Sequence, residues 1–303
     1  MIRELQRKHD SQPFVARTLG RWKCVFGVVC AILAALVAHA QFRGGAGGAG
    51  GGGGGWGRGP GRSRQRSELP TWEPKPGFTH DTFTFARIKY VSRTGRRSQT
   101  WDTDYPDSDR NFSFRLHQVT SLNIASEPKV LELTDPDLPN YPFIFMSGVG
   151  GLMLNDAEAK ALRQYLLNGG FLMVDDFWGE AEWANFYGEI KKSFPEREPT
   201  ELPLEHPIFH TIFDLKEKPQ LPNIFIAMRY RGTGVTWERE DAKVPHYRGL
   251  FDDKNRLMAV ICHNTDNGDG WEEEQTNPYY FTEFSEKKAY PLGINLVVYM
   301  MTH

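Results

Sequence analysis

The stretch Gly169–Gly179 (GGFLMVDDFWG) indicates the fold class. Two glycines end a helical pattern, and the uninterrupted apolar run Phe171–Val174 follows them directly. Such a run is typical of a strand that is buried on both faces of a parallel sheet. Ligands bind beyond the carboxyl ends of these strands, so Asp175 and Asp176 are expected at a functional edge. Adjacent strand residues point to opposite faces, so one acid would reach a given pocket, and the alternative is that one caps the next helix.

The same alternation of strands and helices extends on both sides of this stretch. The pattern predicts strands at 83–90, 130–133, 142–146, 223–230 and 256–263, and helices at 108–122, 155–169, 180–194 and 290–302. Asn155 and Glu158 have the spacing of a capping box, and Ser108 is a candidate N-cap. Strand–helix alternation predicts an α/β fold, in which a mostly parallel sheet carries helices on both faces.

The amino-terminal 40 residues have the pattern of a secretory signal peptide. Basic residues precede the apolar run Cys24–Ala38, and Ala38-His39-Ala40 supplies a cleavage pattern. We therefore expect export to the periplasm or the extracellular space. An uncleaved anchor, which would tether the protein to a membrane, is the alternative. Residues 41–77 are rich in Gly and Arg and are predicted to be a flexible linker, which leaves 78–303 as a single domain.

Charge and cysteine content limit the classes of function. Residues 71–303 contain 25 basic and 35 acidic side chains, a net charge near −10, which argues against nucleic acid as a partner. Cys262 is the single cysteine beyond residue 40, so an exported mature chain would contain no internal disulfide.

Two further acidic segments follow predicted strands. The first contains Asp102, Asp104 and Tyr105, and the second begins at His263 and contains Asp266 and Trp271. Carboxylate oxygens suit a hard divalent cation, so Asp102, Asp104 and Asp266 are candidate ligands, although neither segment fits the EF-hand pattern. The alternative for the first segment is a polar turn in which Asp107 or Ser108 caps a helix. No other cofactor is indicated.

Two remaining patterns have weaker functional interpretations. His206 and His210 are four residues apart, but Pro207 stands where a metalloprotease helix would have Glu, so His206 is a candidate only as a single site residue. The segment Ser147–Met153 begins like a dinucleotide fingerprint but has Met at its third glycine position. Amides near Gly148 could still hold an anion.

An ordered series of motifs resembles the bacterial family called domain of unknown function 4159, over nearly all of residues 80–303. The motifs are Asp104-Tyr105-Pro106, Tyr141-Pro142-Phe143, Leu162-x-x-Tyr165-Leu166-x-x-Gly169-Gly170-Phe171-Leu172, Val174-Asp175-Asp176, His206-Pro207-Ile208, Gly270-Trp271-Glu272 and Gly293-x-Asn295-Leu296-x-x-Tyr299. The resemblance implies a flavodoxin-like fold of the class I glutamine amidotransferase-like superfamily, close in shape to the trehalose-utilisation proteins. It also implies membrane-anchored relatives and leaves the function open.

The chain departs from the working amidotransferases, which need a cysteine at a strand-to-helix elbow. The elbow candidates, Ser147–Gly150 and Asp175–Gly179, contain none. The first hypothesis is therefore a non-catalytic ligand-binding or scaffold domain for an envelope ligand such as a carbohydrate. The second is a carboxylate- or metal-dependent hydrolase that acts on envelope or carbohydrate substrates. The third is a protein-interaction module of a membrane complex.

Overall fold

A seven-stranded sheet forms the centre of the protein. The computed structural model describes residues 69–75, 81–93 and 100–303. The predicted signal peptide and most of the predicted linker lie outside these residues. The strands are β1 (Thr82–Phe83), β2 (Ala86–Ile88), β3 (Val91–Ser92), β4 (Asn123–Ile124), β5 (Lys129–Leu131), β6 (Phe143–Ser147), β7 (Leu152–Met153), β8 (Phe171–Asp175), β9 (Thr200–Glu201), β10 (His246–Phe251) and β11 (Leu257–His263).

The strand order in the large sheet is β5-β2-β6-β8-β11-β10-β9. The first five strands run parallel, whereas β10 and β9 extend one edge in antiparallel pairing. β1 pairs with β4, and β3 pairs with β7, in two small separate sheets. The prediction of an α/β fold with a mostly parallel sheet is therefore confirmed.

Helices cover both faces of the sheet, and each face has its own apolar core. The helices are α1 (Asp107–Val119), α2 (Asp156–Leu167), α3 (Gly179–Ser193), α4 (Ile224–Arg229), α5 (Asn267–Glu272), α6 (Pro278–Tyr280) and α7 (Tyr290–Thr302), with a π-helix at Phe281–Ala289 between the last two. Side chains of α1, α5 and α7 share one core with Phe85, Phe145 and Met173. Side chains of α2 and α3 share the other with Ile144 and Val174.

Several element boundaries differ from the sequence-based predictions. The segment 223–230, predicted as a strand, is helix α4, whose first turn is capped by the Asn223 side chain accepting from the Ile226 amide. The predicted strand 83–90 is divided into β1 and β2. β10, α5 and the π-helix were not predicted. The capping box at Asn155 and Glu158 is present as predicted.

The described part of the predicted linker packs against the domain. Trp72 stacks on His117 of α1 with ring centroids 4.6 Å apart, and its indole N–H donates to the Ile124 carbonyl at 2.8 Å. The segment 69–75, which precedes the predicted start of the domain at residue 78, therefore packs against the domain. Among the described residues, no helix combines the length and apolarity that a membrane crossing needs.

Candidate functional site

Segments that come after β2, β8 and β11 in the chain bring carboxylates together at the carboxyl edge of the sheet. Asp104 lies in the loop that leads into α1, Asp176 follows β8 directly, and Asp266 follows β11. Because the three strands are parallel, their carboxyl ends open on the same edge. The topology therefore assembles a site from three widely separated segments.

The backbone of these loops is held in an uncommon conformation. Asp104, Asp176 and Asn264 have positive φ angles of 62°, 55° and 63°. Asp and Asn tolerate this left-handed region better than other residues, but it still costs about 1–3 kcal/mol at each position. Such residues concentrate at functional sites, where the surrounding structure holds side chains in a required direction.

Five carboxylates form two overlapping groups that share Asp104, and we call the five residues the acidic cluster. One group is Asp104, Asp176 and Asp266, and the other is Asp104, Asp269 and Glu272. In each group, one carboxylate oxygen from every residue lies within 4.8 Å of the others. Such a distance fits ligands around a single ion.

The hydrogen bonds of the acidic cluster leave oxygens for a ligand. The Asp269 amide donates to Asp266 Oδ1 at 2.8 Å, and the Trp178 indole N–H donates to Asp176 Oδ1 at 3.3 Å. Asp104 Oδ2 is buried and accepts a hydrogen bond from none of the described residues. A Cβ on Gly268 would lie 2.5 Å from this oxygen, so the carboxylate occupies space that the glycine leaves open.

The electrostatic environment disfavours the ionised carboxylates in the absence of a cation. Burial raises the pKa of Asp104, Asp176, Asp266 and Asp269 well above the ordinary value, and the negative charge of neighbouring carboxylates raises it further. For Asp104 the chief neighbour is Glu272, and Arg87 partly opposes the shift. A bound cation would remove this cost.

Asp175 and Asp176 have different roles despite being adjacent. The buried Asp175 carboxylate accepts from the Asn267 side chain at 2.8 Å and the Gly268 amide at 2.9 Å. Burial raises the pKa of Asp175 to about 7, and these hydrogen bonds oppose the shift. Asp175 thus fixes the amino end of α5, whereas Asp176 joins the acidic cluster. The capping alternative describes Asp175, but the helix is α5 rather than the next helix in the chain.

A buried ion pair lies beside the acidic cluster. Arg87 Nε donates to Asp109 Oδ2 at 2.9 Å, and both side chains are fully buried. The same guanidinium donates to the carbonyls of Trp101 and Thr103 and to Ser108 Oγ.

Ser108, predicted to be an N-cap, lies inside α1, because that helix begins at Asp107. Pro106 precedes that helix, and no side chain caps it, so neither Asp107 nor Ser108 has the predicted capping role.

The loop near Gly148 and the amino end of α3 are filled by the protein's own groups. Gly148 has a φ of 67°, and its amide donates to the Asp175 carbonyl. Glu182 accepts from the Trp178 amide at 2.7 Å, and a Cβ on Gly150 would lie 2.4 Å from its carboxylate. The Glu182 side chain thus occupies the place that an external anion would take.

Other predicted site residues lie at the rim or in the core. Asp102 accepts from the Thr100 hydroxyl and belongs to neither carboxylate group. Tyr105 is 36% exposed and lies 5.8 Å from the Trp101 ring, so these aromatic rings form a rim beside Asp104. Trp271 is fully buried against Phe112 and is a core residue.

The predicted histidine pair at 206 and 210 is committed to local contacts. His206 Nδ1 accepts from the Ile208 amide and caps the 3-10 helix Pro207–Phe209. His210 bonds to Asp214 and to the Leu204 carbonyl. These partners give both rings structural roles.

His263 and Cys262 are buried on opposite faces of β11, because adjacent residues of a strand alternate between its faces. His263 stacks on Phe177 at 4.7 Å and bonds to the Gly179 carbonyl through Nε2. Burial lowers the pKa of His263 to about 4, and the positive charge of Arg248 adds to the shift. Burial raises the pKa of the Cys262 thiol, as expected for a core cysteine.

Sequence reasoning missed two members of the acidic cluster. Asp269 and Glu272 were not proposed as ligands, and no helix was predicted for the segment that contains them. The spacing of Asp266, Asp269 and Glu272, three residues apart each time, places them along one side of a helix. A helical interpretation of the segment would have identified them.

The match to a protein family covers the whole acidic cluster. A family model described as "Domain of unknown function (DUF4159)" matches residues 84–301. The protein belongs to this family. The matched part of the DUF4159 domain includes β2 through most of α7 and every member of the acidic cluster. None of the curated proteins matches the chain.

Proposed function

We propose that this DUF4159 protein binds a divalent cation through Asp104, Asp176 and Asp266 and uses the cation to hold a small polar ligand. The observation that carries this proposal is the convergence of three carboxylates from three separate loops within 4.8 Å. The buried Asp104 Oδ2, which has no hydrogen-bond partner among the described residues, supports it independently. A buried acceptor without a partner is rare unless something absent from the protein chain satisfies it.

The ligand set favours a hard cation. Every member of the acidic cluster offers carboxylate oxygen, which suits Mg²⁺, Mn²⁺ or Ca²⁺ rather than a metal that prefers sulfur or imidazole. Three carboxylates fill part of a six-ligand shell, so open positions remain for water or for oxygens of the ligand. The Trp101–Tyr105 rim beside Asp104 would suit the apolar face of a sugar.

The second candidate is a metal-dependent hydrolase, and the open positions favour it. A divalent cation lowers the pKa of bound water and can generate a nucleophile near neutral pH. In that case, Asp104, Asp176 and Asp266 would orient the ion. Trp178, whose indole N–H bonds to Asp176, would position that ligand.

We also propose a finer fold class and a location for the protein. The five parallel strands, numbered by their order along the chain, stand across the sheet in the order second, first, third, fourth and fifth. This order supports a flavodoxin-like fold of the amidotransferase-like superfamily. The signal-like pattern of residues 1–40 supports export and an envelope ligand or membrane-complex partner. Amino-terminal sequencing of the exported chain tests cleavage near Ala40.

Thermal unfolding of the full chain with Mg²⁺, Mn²⁺ or Ca²⁺ tests cation binding. A cation at 100 times its dissociation constant should add about 2.7 kcal/mol to the free energy of unfolding. Asp176→Asn should reduce this gain while keeping a residue that tolerates positive φ. The matched control, Asp137→Asn, changes an exposed acid outside both groups and should keep the gain. A gain from none of the three cations, or an equal gain in Asp176→Asn, would contradict the proposal.

A further inference from the structure

We infer that the acidic cluster holds two divalent cations, which share Asp104 as a bridging ligand. The first ion is bound by Asp104, Asp176 and Asp266, and the second by Asp104, Asp269 and Glu272. The inference rests on the proposed function, because the second ion uses a ligand of the first. It adds a specific site that single-cation binding would not require.

The geometry of α5 supports the second position. Asp269 and Glu272 are three residues apart on this helix and therefore project from the same side. Asp269 Oδ2 accepts from the Ile224 amide at 2.7 Å, which fixes the direction of this carboxylate. Asp104 reaches this side because Gly268, one residue before Asp269, has no side chain in its way.

Charge balance favours two ions over one. The four aspartates of the acidic cluster carry a charge of −4 when they are ionised, so one divalent ion leaves −2 and two ions leave no net charge. Arg87 is the nearby buried cation, and its charge is already paired with Asp109. Uncompensated buried charge is expensive, which makes the two-ion state the better balanced one.

The unpartnered oxygen of Asp104 is the independent sign of a bridging role. Asp104 is the residue common to both groups, and its Oδ2 atom is buried without a hydrogen bond from the described residues. Two-metal sites hold their ions about 3.5–4 Å apart, a separation that one bridging carboxylate spans. The bridging position requires that this oxygen be left without a protein donor.

Counting Mn²⁺ bound to the full chain tests the inference. Titration calorimetry should give two Mn²⁺ per wild-type chain, and electron paramagnetic resonance should show magnetic coupling between them. Glu272→Gln should reduce the count to one and abolish the coupling. The matched control, Glu205→Gln, changes an exposed acid outside the acidic cluster and should keep two coupled ions.

Gly268→Ala provides a test that changes no charge. The added methyl group would lie 2.5 Å from Asp104 Oδ2 and must displace that carboxylate. Affinity for both ions should fall at least about tenfold, which corresponds to about 1.4 kcal/mol. Circular dichroism in EDTA shows whether each variant is folded.

The outcomes separate this inference from the proposed function. One Mn²⁺ per wild-type chain, unchanged in Glu272→Gln and lost in Asp176→Asn, would overturn the two-ion inference and keep the proposed function. No bound cation would overturn both. Two ions that persist in Glu272→Gln, or unchanged affinity in a folded Gly268→Ala, would overturn the assignment of the second position and of Asp104 as the bridge.

Discussion

Two charged regions, one fully buried and one partly buried, lie side by side in this domain, and their charges are balanced differently. The Arg87–Asp109 pair is complete within the protein, since hydrogen bonds from the guanidinium reach a carboxylate, a hydroxyl and two carbonyls. The acidic cluster consists of carboxylates alone, and Asp104 at its centre has a buried oxygen without a partner among the described residues. The first region is stabilised by contacts within the protein, and we propose that the second is stabilised by a cation from solution.

The difference shows how a structural ion pair can prepare a binding site. Arg87 holds the carbonyls of Trp101 and Thr103, which lie in the loop that carries Asp104. The pair therefore fixes the backbone that directs Asp104 into the acidic cluster at a φ of 62°. The ion pair in one region therefore supports the close approach of carboxylates in the other.

The largest change in the free energy of unfolding should come from breaking the Arg87–Asp109 pair. Arg87→Met leaves Asp109 buried without its partner and should lower the free energy of unfolding by about 3–5 kcal/mol. Lys89→Met is the matched control, because Lys89 is a half-exposed cation whose pairing with Glu132 is worth about 1 kcal/mol or less. Urea unfolding measures both. Equal losses in the two variants would remove the distinction between a structural pair and a surface pair.

His263 is a third kind of buried group, because the folded protein keeps its imidazole ring neutral. Its pKa is about 4 in the folded state and about 6.5 in the unfolded chain. Above pH 6.5 the ring is neutral in both states and contributes no pH dependence. As the pH falls from 6.5 to 4, the unfolded chain takes up a proton that the folded state excludes. Stability should fall by about 1.4 kcal/mol per pH unit, or about 3 kcal/mol in total.

The substitution His263→Gln should remove this part of the pH dependence. Glutamine can still donate to the Gly179 carbonyl and accept from Arg248, as the neutral imidazole does, but it does not titrate. Unfolding by urea at several pH values between 4 and 7 measures the slope for both proteins. A slope as steep in the variant as in the wild type would show that other groups cause it.

The smallest expected change is a gain in the free energy of unfolding rather than a loss. In EDTA at pH 8, Asp104→Asn removes one of the crowded carboxylates and should raise the free energy of unfolding by about 1 kcal/mol. Asparagine tolerates the positive φ at this position, so the backbone need not change. With saturating Mg²⁺ the order should reverse, because the wild type gains the cation. Denaturant unfolding with and without Mg²⁺ measures this, and a loss of stability in EDTA would contradict the comparison.

Local sequence patterns predicted the elements whose signals are local. The apolar runs gave β11 and most of β6 and β8, and the capping box at Asn155 gave α2. The pattern failed at α4, whose apolar residues read equally well as a strand until the Asn223 cap and the packing of Ile224 decided for a helix. It also failed at α5, which was not predicted as a helix. The Asp175 carboxylate, from a distant strand, fixes the start of that helix.

The sequence by itself determined that Gly169–Gly179 contains a buried strand that ends in two acids at a sheet edge. It could not show which of the two acids has which role, because the direction of each side chain depends on contacts with β11 and α5. The tertiary structure alone decided that Asp175 anchors a helix while Asp176 meets Asp104 and Asp266. Parallel pairing of distant strands creates that meeting, and no local pattern encodes it.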